Sequence, residues 1–397
     1  MTTPADRVAP GAYRNLVLAA VAFLLNSWAW GLISPSSAHY KQVLGLSAVQ
    51  QSVLVAVPVL VGSLGRIPVG ALTDKLGARV VLPAITFLTV LPVLALSLVG
   101  SSYAGLLVVG FFLGLGGTPF AASVPHANAW FPPAKRGFAL GVVGMGMGGT
   151  AIAAVLTAPM RKHYGDNAQF YLVAAVLVLY GLLLMALLRD PPGRTVPTTS
   201  FAHRFAEASR QSMTWPLAGL YAVTFGGYVA FAVYLVTYLQ TAYGLAQPDA
   251  SLKAAGFTLV AVVFRPPGGW LSDRIGPAKV LAVCLAVLAV MALVQSFQPV
   301  LYPWATVSFL VMAAVLGAGA GAVFALLAQV TPKATVGSVT GIVGAVGGLG
   351  GFVPPLVMGA VYGWTDSYRI GLLLLALVAL GSFLYTLRIG THDRRNS

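Results

Sequence analysis

The chain has 397 residues, of which 58% are hydrophobic and 8% are charged, and its mean hydropathy is +0.86. Since a soluble domain usually carries about a quarter charged residues, this composition excludes an ordinary water-soluble fold and places the chain in a lipid bilayer. The net charge of +14 does not indicate nucleic-acid binding, because the basic residues are scattered between apolar stretches and form no long basic block.

Twelve apolar stretches have about the length of a membrane-spanning helix, roughly 20 residues. In chain order they are 15–37, 50–72, 79–99, 102–125, 137–160, 168–188, 214–241, 252–272, 278–297, 303–330, 337–362 and 367–388. The longest polar gap follows the sixth stretch. It predicts an all-α membrane protein with an N-terminal six-helix bundle (1–190), a cytoplasmic linker (191–213) and a C-terminal six-helix bundle (214–397).

The basic residues predict the orientation of these spans. If the N-terminus is cytoplasmic, sixteen of the 23 lysines and arginines fall in cytoplasmic segments and five fall in external ones. Because positive residues are enriched on the cytoplasmic side of membrane proteins, both termini are expected in the cytoplasm. We therefore expect a monomeric, multi-pass protein of the cytoplasmic (inner) membrane, surrounded by lipid.

Two arginines interrupt the apolar stretches, Arg66 in the second and Arg265 in the eighth. Each lies eight residues before an aspartate at the cytoplasmic end of its span, so a helical rise of 1.5 Å places each about 12 Å deep, near the midplane. Arginine stays protonated, and none of the nine acidic residues falls within an apolar stretch. Since an intramembrane charge is by default a functional-site candidate, the pair predicts an anion site. The alternative is two structural arginines bonded to backbone carbonyls and waters.

An internal repeat relates the two halves of the chain. A shift of 199 residues aligns the two arginine segments, and a shift of 200 aligns the glycine runs of spans five and eleven. The aligned pairs include Arg66 and Arg265, Gly70 and Gly269, Asp74 and Asp273, Lys75 and Arg274, Gly77 and Gly276, Gly141 and Gly341, Gly144 and Gly344, and Gly148 and Gly348. The repeat predicts two pseudo-symmetric bundles with the substrate near the midplane between them, and the glycine runs predict tight helix packing.

The segments "GALTDKLGARV" and "GWLSDRIGPAKV" resemble the loops after spans two and eight in the major facilitator superfamily. The resemblance implies the twelve-helix fold of that superfamily. It also implies that the loop residues stabilise one state of a gate, because carboxylates and cations at helix ends bond to neighbouring helix termini. These gating residues are Gly70, Asp74, Lys75, Gly77, Gly269, Asp273, Arg274 and Gly276.

The stretches "GGTPFAAS…NAWFPPAKRGFALG" and "FRPPGGWLSDRIG" are similar to the nitrate/nitrite porter family. This resemblance implies that Arg66 and Arg265 hold the anion, that Phe120 and Phe225 lie against its flat faces, and that Tyr221 donates a hydrogen bond. A planar anion suits the coplanar donors of a guanidinium, although ordinary helix packing would equally explain the three rings. The family commonly has an asparagine in the span-five glycine run. Here that run has none, and Val143 or Met147 occupies the position.

These observations predict a secondary transporter that exchanges nitrate and nitrite by alternating access, without a cofactor or metal. Proton-coupled nitrate uptake and organic-anion or organophosphate antiport stay open as alternatives. Proton coupling is disfavoured because no carboxylate is embedded, and His126 is expected at the membrane interface rather than in a proton relay. The spans hold no acid, nucleophile or metal cluster, which argues against an enzyme, and the lone Cys284 indicates no redox chemistry. The short loops argue against a membrane sensor.

Overall fold

The computed structural model describes residues 8–194, 200–332, 335–365 and 367–393. Throughout these ranges the chain forms helices joined by short turns, without a β-strand. The helices before the linker are α1 (Ala12–Trp30), α2 (Ile33–Leu44), α3 (Ala48–Leu64), α4 (Arg66–Leu76), α5 (Ala78–Val99), α6 (Tyr103–Leu113), α7 (Pro119–Trp130), α8 (Arg136–Gly144), α9 (Gly149–Tyr164) and α10 (Ala168–Leu187).

The linker carries one helix, and nine more follow it in the described residues. They are α11 (Phe201–Arg210), α12 (Thr214–Tyr221), α13 (Gly227–Tyr243), α14 (Gln247–Val263), α15 (Arg265–Ile275), α16 (Pro277–Ser296), α17 (Thr306–Val330), α18 (Val336–Gly350), α19 (Val353–Thr365) and α20 (Arg369–Asp393). Turns of 3-10 helix at Gly114–Gly117, Pro133–Lys135 and Met145–Gly148, and of π-helix at Ala222–Gly226 and Leu301–Ala305, join some of them.

Ten helical stretches of the described chain are long and apolar enough to cross a membrane. They correspond to ten of the twelve predicted spans, and the other two are each divided into shorter helices. The eighth span consists of α14 and α15, because Pro266 and Pro267 at the start of α15 lack the N–H groups that would continue a helix from α14. The eleventh consists of α18 and α19, and the division falls after Gly350, where glycine weakens a helix.

Large apolar side chains cover the outer surface, as expected for helices that face lipid. Leu98, Leu179 and Leu91 are 81%, 68% and 65% exposed, respectively. A water-facing protein would leave few such side chains uncovered, whereas lipid tails are as apolar as leucine. The all-α membrane class predicted from composition is therefore confirmed.

The described helices form two compact units. The first comprises Met1–Pro132, Val142–Thr214 and Thr331–Ala345, and the second comprises Pro133–Gly141, Trp215–Val330 and Val346–Ser397. The first unit thus includes the first part of α18, which comes from the C-terminal half of the sequence. The second unit includes the first part of α8, which comes from the N-terminal half. The predicted domain boundaries at residues 190 and 214 stay a prediction.

Helices of opposite sequence halves approach closely inside each unit, and glycines allow it. In the first unit, a Cβ at Gly70 of α4 would lie 2.5 Å from the carbonyl oxygen of Gly337 in α18. In the second unit, a Cβ at Gly269 of α15 would overlap the carbonyl oxygen of Gly137 in α8. The sequence repeat therefore corresponds to two equivalent helix pairs, and each pair contains one of the two arginine helices.

Candidate functional site

Arg66 begins α4, just after Gly65 interrupts the second span, and it is 1% exposed. Its Nε donates to the carbonyl oxygen of Gly117 at 3.2 Å, and its Nη1 donates to that of Gly344 at 2.9 Å. The guanidinium carbon lies 5.2 Å from the ring centre of Phe120. The carbonyl bonds are those expected for a structural arginine. They orient the guanidinium, but a carbonyl carries no formal charge, so the charge of the cation is not neutralised by them.

Phe120 lies in the first unit with Arg66. It is 2% exposed and packs against Phe23 of α1, with ring centres 5.3 Å apart and planes tilted by 48°. The glycine run of span five borders this pair, since a Cβ at Gly146 would lie against the Phe23 ring. The 3-10 turn Met145–Gly148 separates α8 from α9 at this point, and it contains Met147, which is 2% exposed.

Arg265 begins α15 and is 2% exposed. Its guanidinium carbon lies 5.3 Å from the ring centre of Phe225 and 5.2 Å from that of Tyr228. A cation within about 6 Å of an aromatic ring centre is attracted by the negative face of the ring. Tyr228 was not predicted from the sequence, although it lies on the same helical face as Phe225.

Tyr221 lies in the second unit beside Phe225. The two rings stack with centres 4.8 Å apart and planes 3° apart, and Tyr221 meets Phe324 edge-on at 4.7 Å. A Cβ at Gly347 would overlap the Tyr221 ring, so only glycine leaves room for it. The π-helical turn Ala222–Gly226 lies in this span, and such turns occur frequently at functional sites.

The carboxylates on the two arginine helices are engaged at the far ends of those helices. Asp74 Oδ2 accepts from Arg204 Nη1 at 3.2 Å and from Ser338 Oγ at 3.1 Å. Asp273 accepts from two backbone N–H groups at the start of α8, those of Gly137 at 2.7 Å and Phe138 at 2.8 Å. Eight residues of helix, about 12 Å, separate each aspartate from its arginine. Both aspartates therefore bind neighbouring helices, and their predicted role in a gate stays a prediction.

Two linker arginines near Asp74 were not predicted as part of this cluster. Arg204 of α11 is 3% exposed and also donates through Nη2 to the carbonyl oxygen of Ala71 at 3.1 Å. Arg194 Nη2 donates to the backbone carbonyl oxygen of Asp74 at 3.1 Å. The sequence offered one weak signal, an arginine within the amphipathic stretch "FAHRFAEASR".

The remaining loop residues differ in what they contact. Gly77 and Gly276 have φ angles of +84° and +94°, which favour glycine, and each ends an arginine helix before the chain turns into the next span. Arg274 lies over the ring of Trp270 at 4.0 Å, and Lys75 is exposed.

The packing glycines of the two runs approach the arginine helices. A Cβ at Gly141 would lie 2.5 Å from the carbonyl oxygen of Arg265, and one at Gly341 would lie 2.9 Å from that of Arg66. A Cβ at Gly344 would lie 3.1 Å from Arg66 Cδ. The roles predicted for Gly144, Gly148 and Gly348 stay predictions.

His126 lies in α7, four residues before its last residue, Trp130. It is 3% exposed, and its Nδ1 lies 4.0 Å from Asp190 Oδ1. That carboxylate also accepts from the backbone N–H of Arg79 at 3.1 Å, at the start of α5. The interface position expected for His126 stays a prediction.

Comparisons with known proteins agree with this architecture. A family model described as Major Facilitator Superfamily matches residues 19–248 and 217–397. The Escherichia coli fucose:proton symporter FucP has a solved structure with a TM-score of 0.77 at 19% identity, over 95% of this chain and 98% of that one. At 19% sequence identity, this structural similarity shows only that the two chains share a fold.

Two curated relatives are closer in sequence. "Probable nitrate/nitrite transporter NarK2" of Mycobacterium tuberculosis is 47% identical over 379 residues, 95% of this chain and 96% of that protein. "Nitrite extrusion protein" of Bacillus subtilis is 35% identical over 391 residues, 96% of this chain and 97% of that protein. The predicted fold class and the prediction that the protein is no enzyme are therefore confirmed. The chain is a multi-pass membrane transporter of the nitrate/nitrite porter family within the major facilitator superfamily.

Proposed function

We propose that this protein is a secondary transporter that moves nitrate and nitrite across the cytoplasmic membrane by alternating access, with Arg66 and Arg265 as the cationic ligands of the anion. One observation carries the proposal. Each arginine starts a helix deep in an apolar span, is at most 2% exposed and lies over an aromatic ring. The names of the relatives, which refer to nitrate and nitrite, support this choice of anion.

The charge of the two arginines supports an anionic substrate. A charged side chain at the bilayer centre costs at least about 2.5 kcal/mol, and a bound anion offsets that cost. The aspartates of the same helices bond to Arg204, Ser338 and the start of α8, so they are committed to other partners. An incoming anion supplies the formal negative charge that the carbonyl partners of Arg66 lack.

The rings beside the arginines support a flat substrate. Phe120 and Phe225 each lie about 5 Å from a guanidinium carbon. A planar ion can lie against a ring face while it accepts paired hydrogen bonds from a guanidinium in its own plane. Tetrahedral sulfate and phosphate cannot do both, so these ions are excluded by shape. We assign Tyr221 as a further hydrogen-bond donor to the anion.

The gate belongs to the same proposal. Asp74 joins α4 to α18 and the linker, and Asp273 joins α15 to the start of α8. We assign the hydrogen bonds of these two clusters to one state of the alternating-access cycle. Gly70 and Gly269 allow the close approach of the helices, and Gly77 and Gly276 shape the turns that follow the carboxylates and the adjacent Lys75 and Arg274.

Exchange is the mechanism that this charge distribution favours. An empty carrier must change its access with two buried guanidinium charges, which raises the barrier, whereas a bound anion offsets part of that charge. The occupied carrier therefore changes access faster than the empty one, and this difference couples the outward movement of one anion to the inward movement of another.

Proton-coupled uptake is the second candidate, and one observation favours it. The buried His126, near the end of α7, lies 4.0 Å from the partly exposed carboxylate of Asp190. Neither residue of this pair is assigned to anion binding. A proton bound by the pair would therefore affect transport by moving helices and not by contacting the anion. Transport driven by a pH gradient in the absence of an internal anion would establish this second mechanism.

The experiment that tests the proposed substrate is uptake of labelled nitrate into liposomes that contain the purified protein and internal nitrite. Unlabelled nitrite should compete, whereas sulfate, phosphate and glycerol 3-phosphate should not. Competition by glycerol 3-phosphate without competition by nitrite would contradict the proposal and would instead support organophosphate antiport.

A further inference from the structure

Tyr228 is a buried tyrosine beside the proposed anion ligands. Neither the sequence motifs nor the family resemblance assigned it a role. It lies on α13, is 1% exposed, and follows Tyr221 and Phe225 by seven and three residues. Spacings of four and seven residues place three side chains on one face of a helix. The tyrosine therefore belongs to the aromatic face that the sequence analysis recognised only in part.

The Tyr228 ring contacts the guanidinium of Arg265 together with the Phe225 ring. Its centre lies 5.2 Å from the guanidinium carbon, and that of Phe225 lies 5.3 Å from the same carbon. The two ring centres are 6.0 Å apart and their planes are tilted by 38°. Because the cation and both rings are almost fully buried, each cation–π attraction acts with little screening by water.

Rings lie beside both arginines. The Arg66 guanidinium lies over one ring and also donates to two backbone carbonyls, and the Arg265 guanidinium lies over two rings. The shifts of 199 and 200 residues place Ala29 and Trp28 opposite Tyr228, so the internal repeat does not supply a second tyrosine. A ring face stabilises the guanidinium charge without accepting along the directions in which an anion is bound.

Close backbone packing fixes the helix that carries the tyrosine. A Cβ at Gly226 would lie 2.6 Å from the carbonyl carbon of Gly350, and one at Gly227 would lie 3.1 Å from Leu316 Cδ2. The backbone just before Tyr228 therefore packs closely against both neighbours.

From this geometry we infer that Tyr228 is a positioning residue: the face of its ring holds the Arg265 guanidinium in the orientation that binds the anion, and so sets the anion affinity. The inference rests on the proposed function, because it takes Arg265 as an anion ligand. It assigns the affinity effect to the ring and not to the phenol hydroxyl.

The test varies the electron density of the ring at position 228 and measures nitrate uptake into nitrite-loaded liposomes. Tyr228→Phe should keep the KM for nitrate within about twofold. Replacing that phenylalanine with mono-, di- and trifluorophenylalanine should raise KM stepwise, since each fluorine weakens the negative ring face. Tyr228→Leu, which removes the ring, should raise KM about tenfold with little change in maximal rate.

The same fluorinated series at Phe231 is the matched control. Phe231 lies one turn further along α13 and packs against the rings of Phe257 and Phe309, so its series should leave KM unchanged. Two results would overturn the inference: a KM for nitrate that does not respond to fluorination at position 228, or a Tyr228→Phe variant as impaired as Tyr228→Leu. If the wild type transports nitrate in the same assay, the proposed function is upheld in either case. Absence of nitrate transport by the wild type would overturn both.

Discussion

At the scale of single residues, the guanidinium of Arg66 combines two properties that lysine cannot supply together. It carries a permanent charge, and its planar fork reaches the carbonyl oxygens of Gly117 and Gly344 through two different nitrogens. The same fork offers the paired donors that a planar anion accepts. Arginine is therefore required for its shape as much as for its charge.

Arg66→Lys should lower the rate of nitrate uptake by about a hundredfold or more, because the charge is kept while the bidentate geometry is lost. The measurement is uptake into nitrite-loaded liposomes at matched protein density. Arg210→Lys, at an exposed position of α11, is the control and should transport normally. Wild-type uptake by Arg66→Lys would mean that the fork is not used.

Arg204 is the second residue whose geometry carries a prediction. Arg204→Ala removes its bonds to Asp74 and to the Ala71 carbonyl and leaves a partly buried carboxylate with one cation fewer. The free energy of unfolding should fall by roughly 2 kcal/mol, measured as a lower thermal midpoint in detergent. Arg210→Ala on the exposed face of the same helix should leave the midpoint unchanged, and equal midpoints for both variants would show that the Arg204 bonds do not stabilise the linker.

At the scale of helices, the approach of α8 to α15 depends on glycine. Gly269→Ala would place a methyl group against the Gly137 carbonyl oxygen, and neither backbone can yield locally. The helix pair must separate, at a cost of about 1–3 kcal/mol for overpacking. Thermal unfolding of the purified variant should show a lower midpoint.

Gly256→Ala is the matched control for that substitution. Gly256 lies inside α14, and nothing lies within 4 Å of the position that its Cβ would take. Since alanine favours a helix over glycine by roughly 1 kcal/mol, this variant should be as stable as the wild type or more stable. Equal losses in both variants would indicate that close packing at Gly269 is not the cause.

The sequence predicted the helices better than it predicted the contacts between them. A charge in an apolar run is visible by inspection, so the burial of Arg66 and Arg265 could be anticipated. The divisions of spans eight and eleven occur at prolines and at glycine, which a search for apolar stretches does not take into account. The Arg204–Asp74 bond joins residues 130 positions apart, and the contact of Tyr228 with Arg265 joins different helices. Pairings of this kind are set by tertiary packing and leave no periodic pattern.

At the scale of the whole molecule, the distribution of lysine and arginine predicts cytoplasmic termini and a cytoplasmic linker. In a Cys284→Ser background, Ser200→Cys should react with a membrane-impermeant maleimide only when the cytoplasmic side is exposed. Lys162→Cys should react only from outside, since both positions are exposed but fall on opposite sides in the predicted topology. The reverse labelling pattern would contradict the orientation.

The central claim is that a bound anion, and not a proton, allows the carrier to change access. It is tested by uptake of labelled nitrate into liposomes that are loaded with nitrite, compared with liposomes that contain no permeant anion. We expect fast uptake into the loaded liposomes and little into the empty ones, with only a small effect of an imposed pH gradient, because the empty carrier must move two buried guanidinium charges. Strong, proton-driven accumulation of nitrate in the anion-free liposomes would contradict exchange.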